Sequence, residues 1–125
     1  MVTQLKKGSL ELCVLALIDH KDCYGFEIVE KISAFMEVSE GSIYPLLRRL
    51  TQEGYVEAYF QESSEGPARK YYKLSSSGTD YYKESYQQWM EFHQQVLHLF
   101  ATYHKEEEAN ESNDSKQRPV LATTK

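Results

Sequence analysis

A chain of 125 residues with a formal net charge of −5 has room for one domain and a tail, and for a core modest enough that a second copy would help it. The acidic balance taken alone argues against nucleic acid, because phosphate binding needs a basic footprint. Two cysteines match neither a zinc pair nor a disulfide framework, and no apolar segment is long enough to span a bilayer, so no membrane role is expected and the expected compartment is the cytoplasm.

Residues 1–7 carry no apolar signal core. Ser9 to Ile18 (SLELCVLALI) is apolar nearly all round and predicts an enclosed first helix in which Cys13 packs. Asp19 to Asp22 is a polar turn. From Tyr24 the pattern Ile28, Val29, Ile32, Phe35 predicts a second, amphipathic helix with Glu27, Glu30 and Lys31 outward, and Met36-Glu37-Val38 leads on to a third.

The third helix is predicted from a cap at Ser39 to Gly54. The Ser39 hydroxyl is expected to accept from an orphan amide of the first turn, Glu40 sits at the positive end of the dipole, and Gly54 closes the helix. Ile43, Leu46, Leu47 and Leu50 form one apolar face, which leaves Ser42, Tyr44, Pro45, Arg48, Arg49 and Gln52 around the other sides. Pro45 lies deep for a first-turn proline, so either the regular helix starts nearer Ser42 or the first turn is distorted.

Tyr55 to Gln61 and Ala68 to Leu74 alternate as two strands, joined by a loop from Glu62 to Pro67 that is too long for a two-residue turn. Helix, helix, turn, helix, hairpin is the order of an α+β winged helix-turn-helix with three helices and a two-stranded wing. In that fold the third helix enters the major groove and the wing tracks phosphates. Charge distribution supports this more than the sum does. From Met1 to Tyr103 there are ten basic and fourteen acidic residues, yet Arg48, Arg49, Arg69, Lys70 and Lys73 all fall on the proposed helix and wing.

Ser75-Ser76-Ser77-Gly78 breaks the pattern, and a long helix is predicted from near Thr79 to about Tyr103. Tyr82, Tyr86, Trp89, Phe92 or His93, Val96 and Phe100 trace a broad apolar stripe along it. Such a stripe needs a partner, and the cheapest is the same helix of a second copy in a two-fold homodimer. From His104 onward the chain lacks periodic apolar residues, so disorder is expected. The expected organisation is a winged-helix DNA-binding domain over 1–74, a C-terminal dimerisation helix over 75–103 and a disordered tail over 104–125.

Assembled in this way, the sequence resembles the PadR family of bacterial transcriptional regulators. The resemblance rests on LELCVLALI, on Tyr24-Gly25, on the run Gly41-Ser42-Ile43-Tyr44-Pro45-Leu46-Leu47-Arg48-Arg49-Leu50, on Glu53-Gly54-Tyr55, and on Arg69-Lys70-Tyr71-Tyr72-Lys73-Leu74. It covers roughly Gly8 to Phe100 and is similar to the compact branch with a single C-terminal helix. It implies a homodimeric repressor that binds a palindromic operator in double-stranded DNA and is released by an effector.

The candidate DNA-binding residues are Ser42, Tyr44, Pro45, Arg48, Arg49, Arg69 and Lys70, weighed against a merely solvated helix face. Arginine favours the first reading because it can pair bidentately with guanine or phosphate. Arg48 and Arg49 need not both reach DNA, since one could pair with Glu53, and Glu62 and Glu65 oppose phosphate contact at the loop tip. Trp89, Phe92, Val96, Leu99 and Phe100 are candidates for dimer packing or effector binding. Trp89 is either a dimer-core aromatic or a stacking wall for a planar small molecule, and both can hold. His93 and His98 diverge around the helix, so neither a metal nor another cofactor is expected, and no segment joins nucleophile, base and orienting group as an enzyme would. Two rival readings share the fold: a metal-responsive repressor, and a protein-association module without DNA binding.

Overall fold

The computed structural model describes residues 2–104, with side chains from Gly8 onward. The elements run α1 (Val2–His20), β1 (Cys23–Tyr24), α2 (Gly25–Ser33), α3 (Glu40–Gln52), β2 (Val56–Ser63), β3 (Gly66–Leu74) and α4 (Ser76–Tyr103). They form an α+β winged helix-turn-helix with a long C-terminal helix. The tail expected to be disordered lies, after His104, outside the described residues.

One core joins the first three helices to the sheet. α1 contributes Leu10, Val14, Leu15 and Ile18, α2 contributes Ile28, Val29 and Ile32, and α3 contributes Ile43, Leu47 and Leu50. Val56, Tyr72 and Cys23 close it from the sheet side. No residue from Ser9 to Ile18 is fully exposed, as an apolar run on nearly every side requires, and Cys13 packs against the core as expected. The helix itself begins earlier than Ser9, at Val2. Phe35 is a correction: α2 stops at Ser33, so Phe35 falls in the following turn and is 84% exposed.

The sheet has three antiparallel strands in the order β1-β3-β2, one more than the expected hairpin. β1 is only Cys23 and Tyr24, paired with Tyr72 and Tyr71, and it docks the start of α2 beside the wing. β2 and β3 are longer than predicted and leave only Ser64 and Glu65 between them, with an irregularity at Gln61–Ser63 that takes up the extra length. Period-2 alternation sorts their side chains. Val56, Ala58, Tyr72 and Leu74 pack inward, whereas Glu57, Tyr59, Tyr71 and Lys73 lie on the other face.

α3 ends as predicted, with Gly54 at φ +84 and its amide donating to Thr51 O at 3.1 Å. Its start differs in detail. Ser39 is the cap residue, but its carbonyl rather than its hydroxyl does the capping, accepting from Ser42 N at 3.0 Å, while its hydroxyl meets that of Ser42 at 3.4 Å. The helix runs from Glu40 straight through Pro45, which leaves the exposed Gly41 carbonyl without its usual intrahelical donor.

α4 begins at Ser76, ahead of the expected Thr79, because the serine run is its cap and not a break. Ser75 Oγ accepts from Gly78 N at 3.0 Å and donates to Gly54 O at 2.6 Å, fastening the helix to the end of α3. Gly78 makes the approach possible: a Cβ there would lie 1.9 Å from Tyr55 O. The described residues fall into two compact units that divide between Tyr86 and Gln87, so α4 contributes residues to both.

Candidate nucleic-acid interface

An α-helix turns about 100° per residue, so the buried stripe Ile43, Leu47, Leu50 fixes which residues of α3 face away from the core. Gly41, Pro45 and Gln52 run down the middle of the exposed strip, with Arg48 on one shoulder and Ser42 and Arg49 on the other. All of these are exposed. The two adjacent arginines therefore lean in different directions.

Arg48 leans toward the wing. It lies near enough to Tyr72 to oppose the rise in that phenol's pKa, which burial and then Tyr44 produce. Lys70 Nζ sits 5.9 Å from the centroid of the same largely buried ring. Arg69, the next residue along β3, points to the opposite face. Its guanidinium lies 4.5 Å from the centroid of Tyr24, whose ring meets Tyr71 edge-on at 5.5 Å, and Tyr71 in turn stacks on Tyr59 at 5.7 Å. The Tyr59 hydroxyl donates to Asp22 Oδ2 at 2.7 Å, a bond that raises its pKa and ties the ladder to the loop after α1. β1 pairs only with Tyr71 and Tyr72, so β3 loses its neighbour on that side before Lys70 and Arg69.

Arg49 leans toward α1 and is engaged. Its Nη2 donates to Glu11 Oε1 at 2.7 Å and its Nη1 donates to Glu53 Oε1 at 3.2 Å. The hydrogen bond to Glu11 is the main cause of a pKa above the ordinary arginine value. Glu53 is the partner that the i,i+4 spacing suggested; Glu11 could not be found from spacing, since it is far away in sequence.

Tyr44 is half-buried and packed against the core, with burial and then Glu40 raising its pKa. Its ring covers Gly25, where a Cβ would come within 2.6 Å of Cε1. The Tyr-Gly step that opens α2 and the Tyr-Pro step in α3 are thus two halves of one contact. Lys73 approaches Glu57 at 3.9 Å across the hairpin, and both side chains are exposed.

On α4, Tyr81 and Tyr82 pack against the core, and Tyr81 stacks on Tyr55 at 4.1 Å. In the second unit Trp89 stacks on His93 at 4.9 Å, Val96 is half-buried, and Phe92, Leu99 and Phe100 are exposed. Among the described residues no three His, Cys, Asp or Glu side chains cluster as metal ligands would, and no helix is long and apolar enough to cross a membrane.

Residues 14–84 match the family described as the transcriptional regulator PadR-like family. An uncharacterised protein of Lysinibacillus sphaericus is 35% identical over 98 residues, spanning 75% of this chain and 89% of that protein. Among solved structures, a PadR-like transcriptional regulator from Bacillus cereus is 40% identical, with a TM-score of 0.71 over 78% of this chain and 96% of that one. A PadR family regulator from Clostridium difficile is 30% identical, with a TM-score of 0.66 over 74% and 98%.

Proposed function

Because the chain belongs to the PadR-like family of transcriptional regulators, DNA-binding winged-helix proteins and not enzymes, we propose that it is a homodimeric repressor of a palindromic operator. Each protomer lays the exposed strip of α3 in a major groove and its wing on the adjoining backbone, so that two half-sites about one helical turn apart are read together. The observation that carries this reading is that α3 and the wing both expose cations, Arg48 on the one and Arg69 and Lys70 on the other, in an otherwise acidic chain. Ser42, Pro45 and Arg48 are the base-facing candidates, and Arg69 and Lys70 contact phosphate. Tyr44 acts from behind the helix by fixing it against α2.

Pairing through α4 supplies the second half-site. A planar effector stacked against Trp89 would alter the spacing of the two α3 helices, so that both could no longer dock and affinity would fall. The protein would work in the cytoplasm, where the chromosome is.

Retardation of the DNA upstream of the protein's own gene, at two salt concentrations, tests the reading. Wild type should bind in a salt-sensitive manner, and Arg48→Ala should weaken binding by about 10-fold, the loss expected for one bidentate arginine–base pair. An absence of binding to this DNA and to genomic fragments at low salt would instead favour a protein-association module.

A further inference from the structure

Two arginines side by side on a DNA-facing helix invite the reading of two contacts, yet only one of them is neutralised by acids. No carboxylate among the described residues pairs with Arg48. Arg49 is held by Glu11 at 2.7 Å and Glu53 at 3.2 Å, although its side chain is 45% exposed. Glu11 is itself aimed. Its other oxygen, Oε2, accepts from the Tyr81 hydroxyl at 2.5 Å, so a donor from α4 fixes the carboxylate of α1 that meets α3. The pair lines an open groove with Ser39, Ser42 and Pro45, on the shoulder of the same strip that faces DNA.

We infer that Glu11 is an affinity-limiting residue of the DNA-facing surface: by neutralising Arg49 it keeps a second cation off the phosphates. Discrimination rests on Arg48 and the middle of the strip. The inference rests on the DNA-binding reading above. Its physical basis is that a phosphate contact strengthens binding to every sequence alike, whereas a base contact does not. Neutralisation lowers affinity for every sequence by the same factor and leaves the ratio of right to wrong sequence unchanged, so what it limits is the general grip on DNA and its salt sensitivity.

The test is the salt dependence of binding to a mixed-sequence duplex. Glu11→Gln keeps an acceptor for Tyr81 and removes the charge. It should bind this duplex more tightly than wild type, with a slope of log affinity against log salt steeper by about 0.9, the increment for one added phosphate contact. The gain should vanish in Glu11→Gln with Arg49→Ala. Glu30→Gln, which makes the same change in net charge on α2, should show none. Arg49→Ala alone should keep the wild-type slope, and this arm does not depend on how well the Glu11 variant folds.

An unchanged or shallower slope in Glu11→Gln, a gain shared by Glu30→Gln, or a shallower slope in Arg49→Ala would each overturn the role of Glu11. If wild type and Glu11→Gln both left every duplex unbound at low salt, the DNA-binding reading itself would fall and take this inference with it.

Discussion

Glu11 gathers two side chains that the sequence holds far apart, Arg49 and Tyr81, and the second gives the molecule a titratable signature. Donating to Glu11, with burial adding to the effect, pushes the Tyr81 pKa from 10 up to about 12. A folded pKa above the unfolded one means stability that is fully present below pH 10 and is lost as pH rises from 10 through 12. Tyr81→Phe should therefore cost about 1 kcal/mol at neutral pH, from the lost bond to a carboxylate, and flatten the alkaline decline. Urea unfolding of both proteins at pH 7 and across the alkaline range measures it. Ser42, Arg48 and Gly54 were legible in the sequence because periodicity and local caps place them. The hold of Glu11 on Arg49 and the packing of Tyr44 on Gly25 were not, since each depends on which distant helix lies alongside.

At the level of elements, the junctions were harder to read than the elements themselves. Strand β1 is two residues long, too short for any alternation to show, and exists because β3 offers it a partner nearly fifty residues downstream. The serine run before α4 has the composition of a loop but serves as a cap and a tether, which only the nearby Gly54 carbonyl reveals. Two glycines mark where elements come closest, and they differ in what an added methyl would strike. At Gly25 it meets the Tyr44 ring, which can rotate aside at some loss of packing; at Gly78 it meets the Tyr55 backbone carbonyl, which cannot. Gly25→Ala should cost about 1–2 kcal/mol and Gly78→Ala about 3 kcal/mol or more, the order being the decisive point. Thermal unfolding of the two variants in parallel checks it.

For the molecule as a whole, the core accounts for α1 to α3 and the sheet, while the second unit carries apolar side chains that this core does not cover. Phe92, Leu99 and Phe100 are 64%, 57% and 54% exposed, more apolar surface than scattered single residues would leave on one helix. Under the dimer reading these residues are buried by a second copy. Replacing Phe92 and Phe100 together by Glu should weaken self-association by about 100-fold or more, from lost apolar burial. Sedimentation over a range of protein concentrations would show it, and operator affinity should fall in step because a monomer reads one half-site. A protein that sediments as before would remove α4 from the interface. The stripe was legible from its helical spacing; what covers it belongs to a second chain, which no single sequence displays.

The opposed leanings of Arg48 and Arg49 also bear on retargeting the protein to new sequences. A library that randomises both arginines would place half of its diversity at a position whose side chain is held by Glu11 and Glu53 and turned away from the middle of the exposed strip. Varying position 48 with positions 41, 45 and 52 confines the search to the strip that faces outward. The tandem arginine is, for the engineer, one dial and one bolt.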